Sequence, residues 1–153
     1  LDYRRVHVSD MYNDEVDGNS ISPAAYEDII FPSEKKLNDF YGGTRYYHSC
    51  GNLTPFLPVL TSLPNLRILH VSSWTDIEKA KEITNNMDIV MQLAVHPESD
   101  IFNISEETAY EKLKIFVSQL KDRNSWICAD AIYSGDFTII QNWLQLAKKA
   151  VVQ

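Results

Sequence analysis

Two cysteines in 153 residues are too few for the disulfide framework of a small secreted domain, so Cys50 and Cys128 read as free thiols, core residues or metal ligands. No apolar run approaches the roughly 20 residues that cross a bilayer, and Leu1-Asp2-Tyr3-Arg4-Arg5 lacks the apolar stretch of a signal peptide. A cytoplasmic location without a membrane partner is therefore expected. A basic stripe is missing too: 14 Lys and Arg stand against 21 Asp and Glu, a net charge of -7, which argues against a nucleic-acid partner. Glycine is scarce, with five residues, and Asp10-Met11-Tyr12-Asn13 has none of the glycine that cradles a nucleotide phosphate.

What is present is a globular composition, 44% hydrophobic and 23% charged, in a chain long enough to bury a sizeable core. Along it, short apolar runs alternate with helical patterns. Strands are expected over 5–10, 44–48, 66–71, 88–95 and 125–129. Between them, Ser22-Pro23 opens a helix to about Phe40, stopped by Gly42-Gly43. A proline-interrupted helix is expected from about Asn52 to Leu63. Thr75-Asp76-Ile77-Glu78 reads as a capping box for a helix to about Thr84. Ser105-Glu106-Glu107 opens a long amphipathic helix to about Lys121, and a last helix runs from about Asp136 to Val152. Strands alternating with helices point to an α/β fold on a parallel sheet, either an open doubly wound sheet or part of a (β/α)8 barrel.

Polar residues gather at the expected strand ends: Asp10, His48 with Cys50, Ser72 with Ser73, His96, and Cys128 with Asp130. In both architectures ligands bind at that edge. Successive side chains of a strand alternate faces, so His48 and Cys50 share one and can offer an imidazole nitrogen and a thiolate to one ion. Zinc takes about four ligands, three of them protein groups where one position stays open for chemistry. His48, Cys50 and Cys128 would make such a set. Taken alone, Cys128 between Ile127 and Ala129 reads as a small buried hydrophobe more than as a ligand.

Several short stretches, in order, are similar to the C-terminal half of the uroporphyrinogen decarboxylase superfamily, which includes the zinc- and corrinoid-dependent methyltransferases. They are Val8-Ser9-Asp10, Ile21-Ser22-Pro23-Ala24-Ala25-Tyr26, Phe31-Pro32 with Lys35-Lys36-Leu37, Tyr47-His48-Ser49-Cys50-Gly51-Asn52, Ser73-Trp74-Thr75-Asp76-Ile77 with Ala80-Lys81, and Met91-Gln92-Leu93-Ala94-Val95-His96-Pro97. The H-x-C strand resembles the methyltransferase branch, which adds a further Cys on the last strand. Two departures stand out: Cys128 falls a residue or two early, and Leu93-Ala94 replaces the family's Gly-Asn. Asp130 and Glu15 are therefore alternative third ligands.

The resemblance implies the C-terminal part, about five β/α units, of a (β/α)8 TIM barrel, with residues 1–153 forming one domain. It implies zinc on His48, Cys50 and Cys128, Asp10 as a catalytic or orienting carboxylate, and Ser72 and Gln92 as cofactor-binding residues. The activity implied is methyl transfer between a corrinoid (cobalamin), carried by a partner protein, and a thiol or other small-molecule acceptor. The alternatives are a tetrapyrrole decarboxylase and a non-catalytic partial-barrel subunit. A barrel needs about 200–250 residues, so this chain is expected to be the C-terminal portion of a longer protein. It should then associate with a missing N-terminal half or with itself.

Overall fold

A computed structural model describes residues 9–129 and 137–152. Five strands form a single sheet in the order β1 to β5, every neighbouring pair parallel. They are β1 (Asp10–Tyr12), β2 (Tyr46–His48), β3 (Ile68–Val71), β4 (Val90–Val95) and β5 (Ser125–Ala129). The protein is thus α/β with alternating strands and helices. Strand order follows chain order without reversal, so these strands contain no switch point of the doubly wound kind.

The helices are α1 (Pro23–Ala25), α2 (Phe31–Tyr41), α3 (Leu57–Leu60), α4 (Ile77–Ile83), α5 (Glu106–Leu120) and α6 (Phe137–Val152). Ser22 caps α1 by accepting the Ala25 N–H at 3.2 Å, and a π-turn over Tyr26–Ile30 joins α1 to α2. Gly42, at φ 77°, ends α2 in the left-handed conformation that glycine adopts without strain. Pro55 and Pro58 split the expected 52–63 helix into a 3-10 turn, Thr54–Phe56, and the short α3. The cap of α4 is Asp76, which accepts the Lys79 N–H at 3.0 Å, and not Thr75, whose hydroxyl accepts the Leu53 N–H at 2.9 Å. No helix among the described residues is long and apolar enough to cross a membrane.

The two faces of the sheet differ sharply. Tyr47, Leu69, Val71, Met91 and Leu93 face the helices and pack in one cluster with Tyr26, Phe56, Leu57, Leu60 and Ala80. Register places Tyr12, His48, His70, Gln92 and Trp126 side by side on the opposite face, with Asp10, Tyr46, Ile68 and Val90 one layer toward the strands' amino ends. An apolar face under helices and a polar row on the other side confine the chemistry to one surface.

One boundary moves the candidate residues. The first strand, expected over 5–10, is described as Asp10–Tyr12, and residues 5–8 lie outside the described ones. Met11 and Tyr12 pair with Tyr47 and His48, so a stretch that reads as polar loop belongs to the strand. Asp10 consequently opens β1 instead of ending it.

Candidate metal centre

His48 ends β2, Cys50 lies two residues beyond it, and Asp14 sits in the loop leaving β1. These neighbouring strands carry the three side chains to one point. His48 Nε2 stands 3.3 Å from Cys50 Sγ and 3.3 Å from Asp14 Oδ1. The three ligand atoms all lie within 4.8 Å of one another, a group able to hold a metal ion.

Backbone bonds hold these loops in place. The Asn13 N–H donates to His48 O at 2.9 Å, continuing the β1–β2 pairing past Tyr12, and the Cys50 N–H donates to Asp14 Oδ1 at 3.0 Å. Ser49, fully buried, donates from Oγ to Val16 O at 2.8 Å. Asp17 Oδ1 accepts the Asn52 N–H at 2.9 Å, and Gly18 donates back to Asn52 O at 2.9 Å. The backbones approach so closely that a Cβ on Gly51 would lie 2.5 Å from Asp17 Cβ, which is why glycine follows Cys50.

The imidazole is aimed from behind. Tyr46 O–H donates to Gln92 Oε1 at 2.6 Å, so its oxygen is left to accept a proton from His48 Nδ1, 3.1 Å away. Neutral His48 therefore carries its proton on Nδ1 and points the Nε2 lone pair at Cys50 and Asp14. Gln92 Oε1 also accepts from His70 Nδ1 at 2.9 Å, and the two imidazole rings stack with centroids 4.1 Å apart. Such outer partners fix the tautomer of a metal-binding histidine and raise its basicity. Tyr12, whose ring lies 5.3 Å from that of His48, is partly desolvated, which with the Asp10 charge raises its hydroxyl pKa above the ordinary value.

The same geometry separates a metal site from a nucleophile relay. In a thiol–imidazole–carboxylate relay the acid sits on the ring nitrogen opposite the thiol. Here thiol and carboxylate share Nε2, while Tyr46 takes Nδ1. Ligand atoms at zinc–ligand distances in a tetrahedron lie about 3.3–3.6 Å apart, matching both 3.3 Å separations. Imidazole, thiolate and carboxylate are ligands zinc accepts, and the two anions neutralise its charge. Three protein ligands would leave a fourth position open, and the Asp14 side chain, 61% exposed, lies on the solvent side.

Elsewhere the expected residues have other partners. Asp10, its side chain 3% exposed, accepts from Arg45 Nε at 2.9 Å and Arg45 Nη2 at 2.7 Å, a bidentate pair. Gln92 orients Tyr46 and His70. Ser72, 3% exposed, donates to Gly51 O at 2.6 Å and so braces the segment after Cys50. Cys128, on β5, pairs in register with Ala94, three strands from β2. It is not in the Asp14 group; neither is exposed Glu15, and Asp130 lies outside the described residues.

Ser72 and Ser73, with Trp74, Ile77, His96 and Phe116, line a cleft of about 520 Å³ at the carboxyl ends of β3 and β4. Trp74, 60% exposed, meets His96 edge to face at 5.4 Å. A strand over 5–10 leaves Asp14 out in the following loop, whereas β1 ending at Tyr12 puts Asp14 just beyond the rim. Compared with known proteins, the chain matches no family model, no curated protein and no solved structure.

Proposed function

We propose that this chain is a zinc-dependent methyltransferase segment, holding the ion on Asp14, His48 and Cys50 and moving a methyl group between a corrinoid protein and a thiol. The observation that carries the proposal is the convergence of three unlike ligands on one point, with Tyr46 turning the His48 lone pair toward it. A bound zinc ion supplies the positive charge that keeps a substrate thiol ionised near neutral pH. The chain's own part is to present His48 Nε2 unprotonated, to balance the ion with the Asp14 and Cys50 charges, and to leave one position facing solvent. The 520 Å³ cleft beside Gly51 is of ligand-pocket size and would hold the body of the acceptor. A corrinoid partner would supply the methyl group: the acceptor sulfur would furnish the electron pair of the new carbon–sulfur bond, and the pair of the broken carbon–cobalt bond would stay with the corrinoid.

The reading takes the sheet as five units of a (β/α)8 barrel whose polar face is the lumen. The unreversed strand order supports this, as does the confinement of helices to one face. Exposed Leu37, Phe40 and Tyr41 on α2 beside β1, and Phe137, Leu144 and Val151 on α6 beside β5, leave apolar surface at both sheet edges for the remaining units or a second copy. The decarboxylase alternative needs arginines for substrate carboxylates. Among the described residues, Arg45 is bound to Asp10, Arg67 to Asp88, and Arg123 to carbonyls at the end of α4, while Arg4 and Arg5 lie outside them.

The test is metal content after zinc reconstitution and desalting in thiol-free buffer, for the wild-type chain, Cys50→Ser and Asp14→Asn. One zinc per chain in the wild type and well under half in both variants is expected. Folded wild-type protein that retains no zinc refutes the proposal.

A further inference from the structure

Beneath the sheet, on the helix side, a carboxylate is buried where an apolar residue would be ordinary. Glu34 of α2 is 4% exposed. Its Oε1 accepts from Asn13 Nδ2 at 2.6 Å and from Tyr47 Oη at 2.8 Å, and its Oε2 accepts from Tyr26 Oη at 2.6 Å. Taking a carboxylate out of water is costly, and hydrogen bonds to the charged form are what offset it. Both tyrosines are fully buried, and each donates its hydroxyl proton to the carboxylate.

Two of the three donors stand immediately before proposed zinc ligands: Asn13 precedes Asp14, and Tyr47 precedes His48. Strand alternation sends Tyr47 down to Glu34 and His48 up to the metal point. The Asn13 N–H, bonded to His48 O at 2.9 Å, joins the two segments above the same carboxylate. Glu34 thus grips the β1 exit through a side chain and the β2 end through a phenol. Tyr26 also hydrogen-bonds the Tyr47 hydroxyl, but it belongs to the helical segment and stands beside no proposed ligand.

Resting on the zinc reading above, we infer that Glu34 is a positioning residue of the metal centre, setting Asp14 against His48 through Asn13 and Tyr47. A carboxylate that merely fills the core would lose stability on substitution but leave the folded site's affinity alone. A positioning role changes the affinity and the ligand field, in the way that supporting residues of metal sites act.

The experiment compares Glu34→Gln, Asn13→Ala and Tyr26→Phe by thermal unfolding, by chelator competition for zinc and by the visible ligand-field spectrum of bound cobalt(II). Glu34→Gln and Asn13→Ala should each weaken zinc about 10–100-fold and alter the cobalt band. Tyr26→Phe should lower the melting temperature while changing zinc affinity less than about twofold. If Glu34→Gln fails to fold, Asn13→Ala against Tyr26→Phe carries the comparison. Unchanged affinity in both Asn13→Ala and Glu34→Gln, or an equal loss in Tyr26→Phe, overturns the inference while leaving the metal site standing. A wild-type chain that binds neither ion refutes the site itself, and the inference with it.

Discussion

Tyr46→Phe removes one oxygen and leaves the ring, which makes it a clean probe of the tautomer argument. In the native site that oxygen accepts from His48 Nδ1 at 3.1 Å and donates to Gln92 Oε1 at 2.6 Å. Without it, the protonated Nδ1 loses its acceptor, and His48 is free to place its proton on Nε2, where it blocks the metal. Supporting residues of this kind are worth about 10–100-fold in metal affinity, about 1.4–2.8 kcal/mol at 1.4 kcal/mol per decade. The lost part-buried bonds should also lower global stability by about 1 kcal/mol. Chelator competition gives the zinc affinity, and nitrogen-15 spectra of the imidazole report the tautomer directly. The reasoning fails if Tyr46→Phe binds zinc within about twofold of wild type, or if wild-type His48 carries its proton on Nε2 in the metal-free protein.

Other consequences follow from the same structure. Arg45→Ala takes the paired cation from an Asp10 side chain that is 3% exposed and should cost on the order of 3 kcal/mol in urea unfolding; adding Asp10→Asn should recover part of it. Gly51→Ala puts a Cβ 2.9 Å from the Asp17 backbone, so it should shift the segment after Cys50, seen as a lower melting temperature and weaker zinc binding together. The backbone N–H of Asn52, then that of Asn19, holds the Asp17 carboxyl below its ordinary pKa. The bonds stabilise the ionised form, so their contribution is complete above the unfolded pKa near 4 and disappears as pH falls through the lower folded value. An Asp17→Asn chain should therefore show a smaller loss of melting temperature between pH 5 and about pH 2 than wild type, and an equal loss would contradict the assignment.

Long periodic segments were legible in the sequence. Glu106–Leu120 begins after its expected Ser105 cap, and Ser125–Ala129 is the strand expected there. Both have local signals, a capping serine before a 3.6-residue apolar period and the short apolar run Trp126-Ile127-Cys128-Ala129. The π-turns over Tyr26–Ile30 and Glu98–Phe102 had no such signal, since nothing local distinguishes a five-residue from a four-residue hydrogen-bond step. Strand parity was enough to bring His48 and Cys50 together. Asp14 was not legible, because its role depends on where β1 ends, and Asp10-Met11-Tyr12-Asn13 looks like loop until Met11 is seen packing against the core. Tyr46 shares the His48 face by the same parity, whereas His70 and Glu34 act from a strand and a helix distant in sequence, so only the register and packing reveal them.

The most direct measurement is zinc K-edge absorption fine structure on the reconstituted chain in thiol-free buffer. One sulfur at about 2.3 Å with nitrogen and oxygen neighbours at about 2.0–2.2 Å is the shell that Asp14, His48 and Cys50 predict, and Asp14→Asn should disturb the light-atom part while keeping the sulfur. A shell without sulfur would remove Cys50 from the site. Two sulfurs would place Cys128 where the structure puts Asp14, and either result contradicts the account.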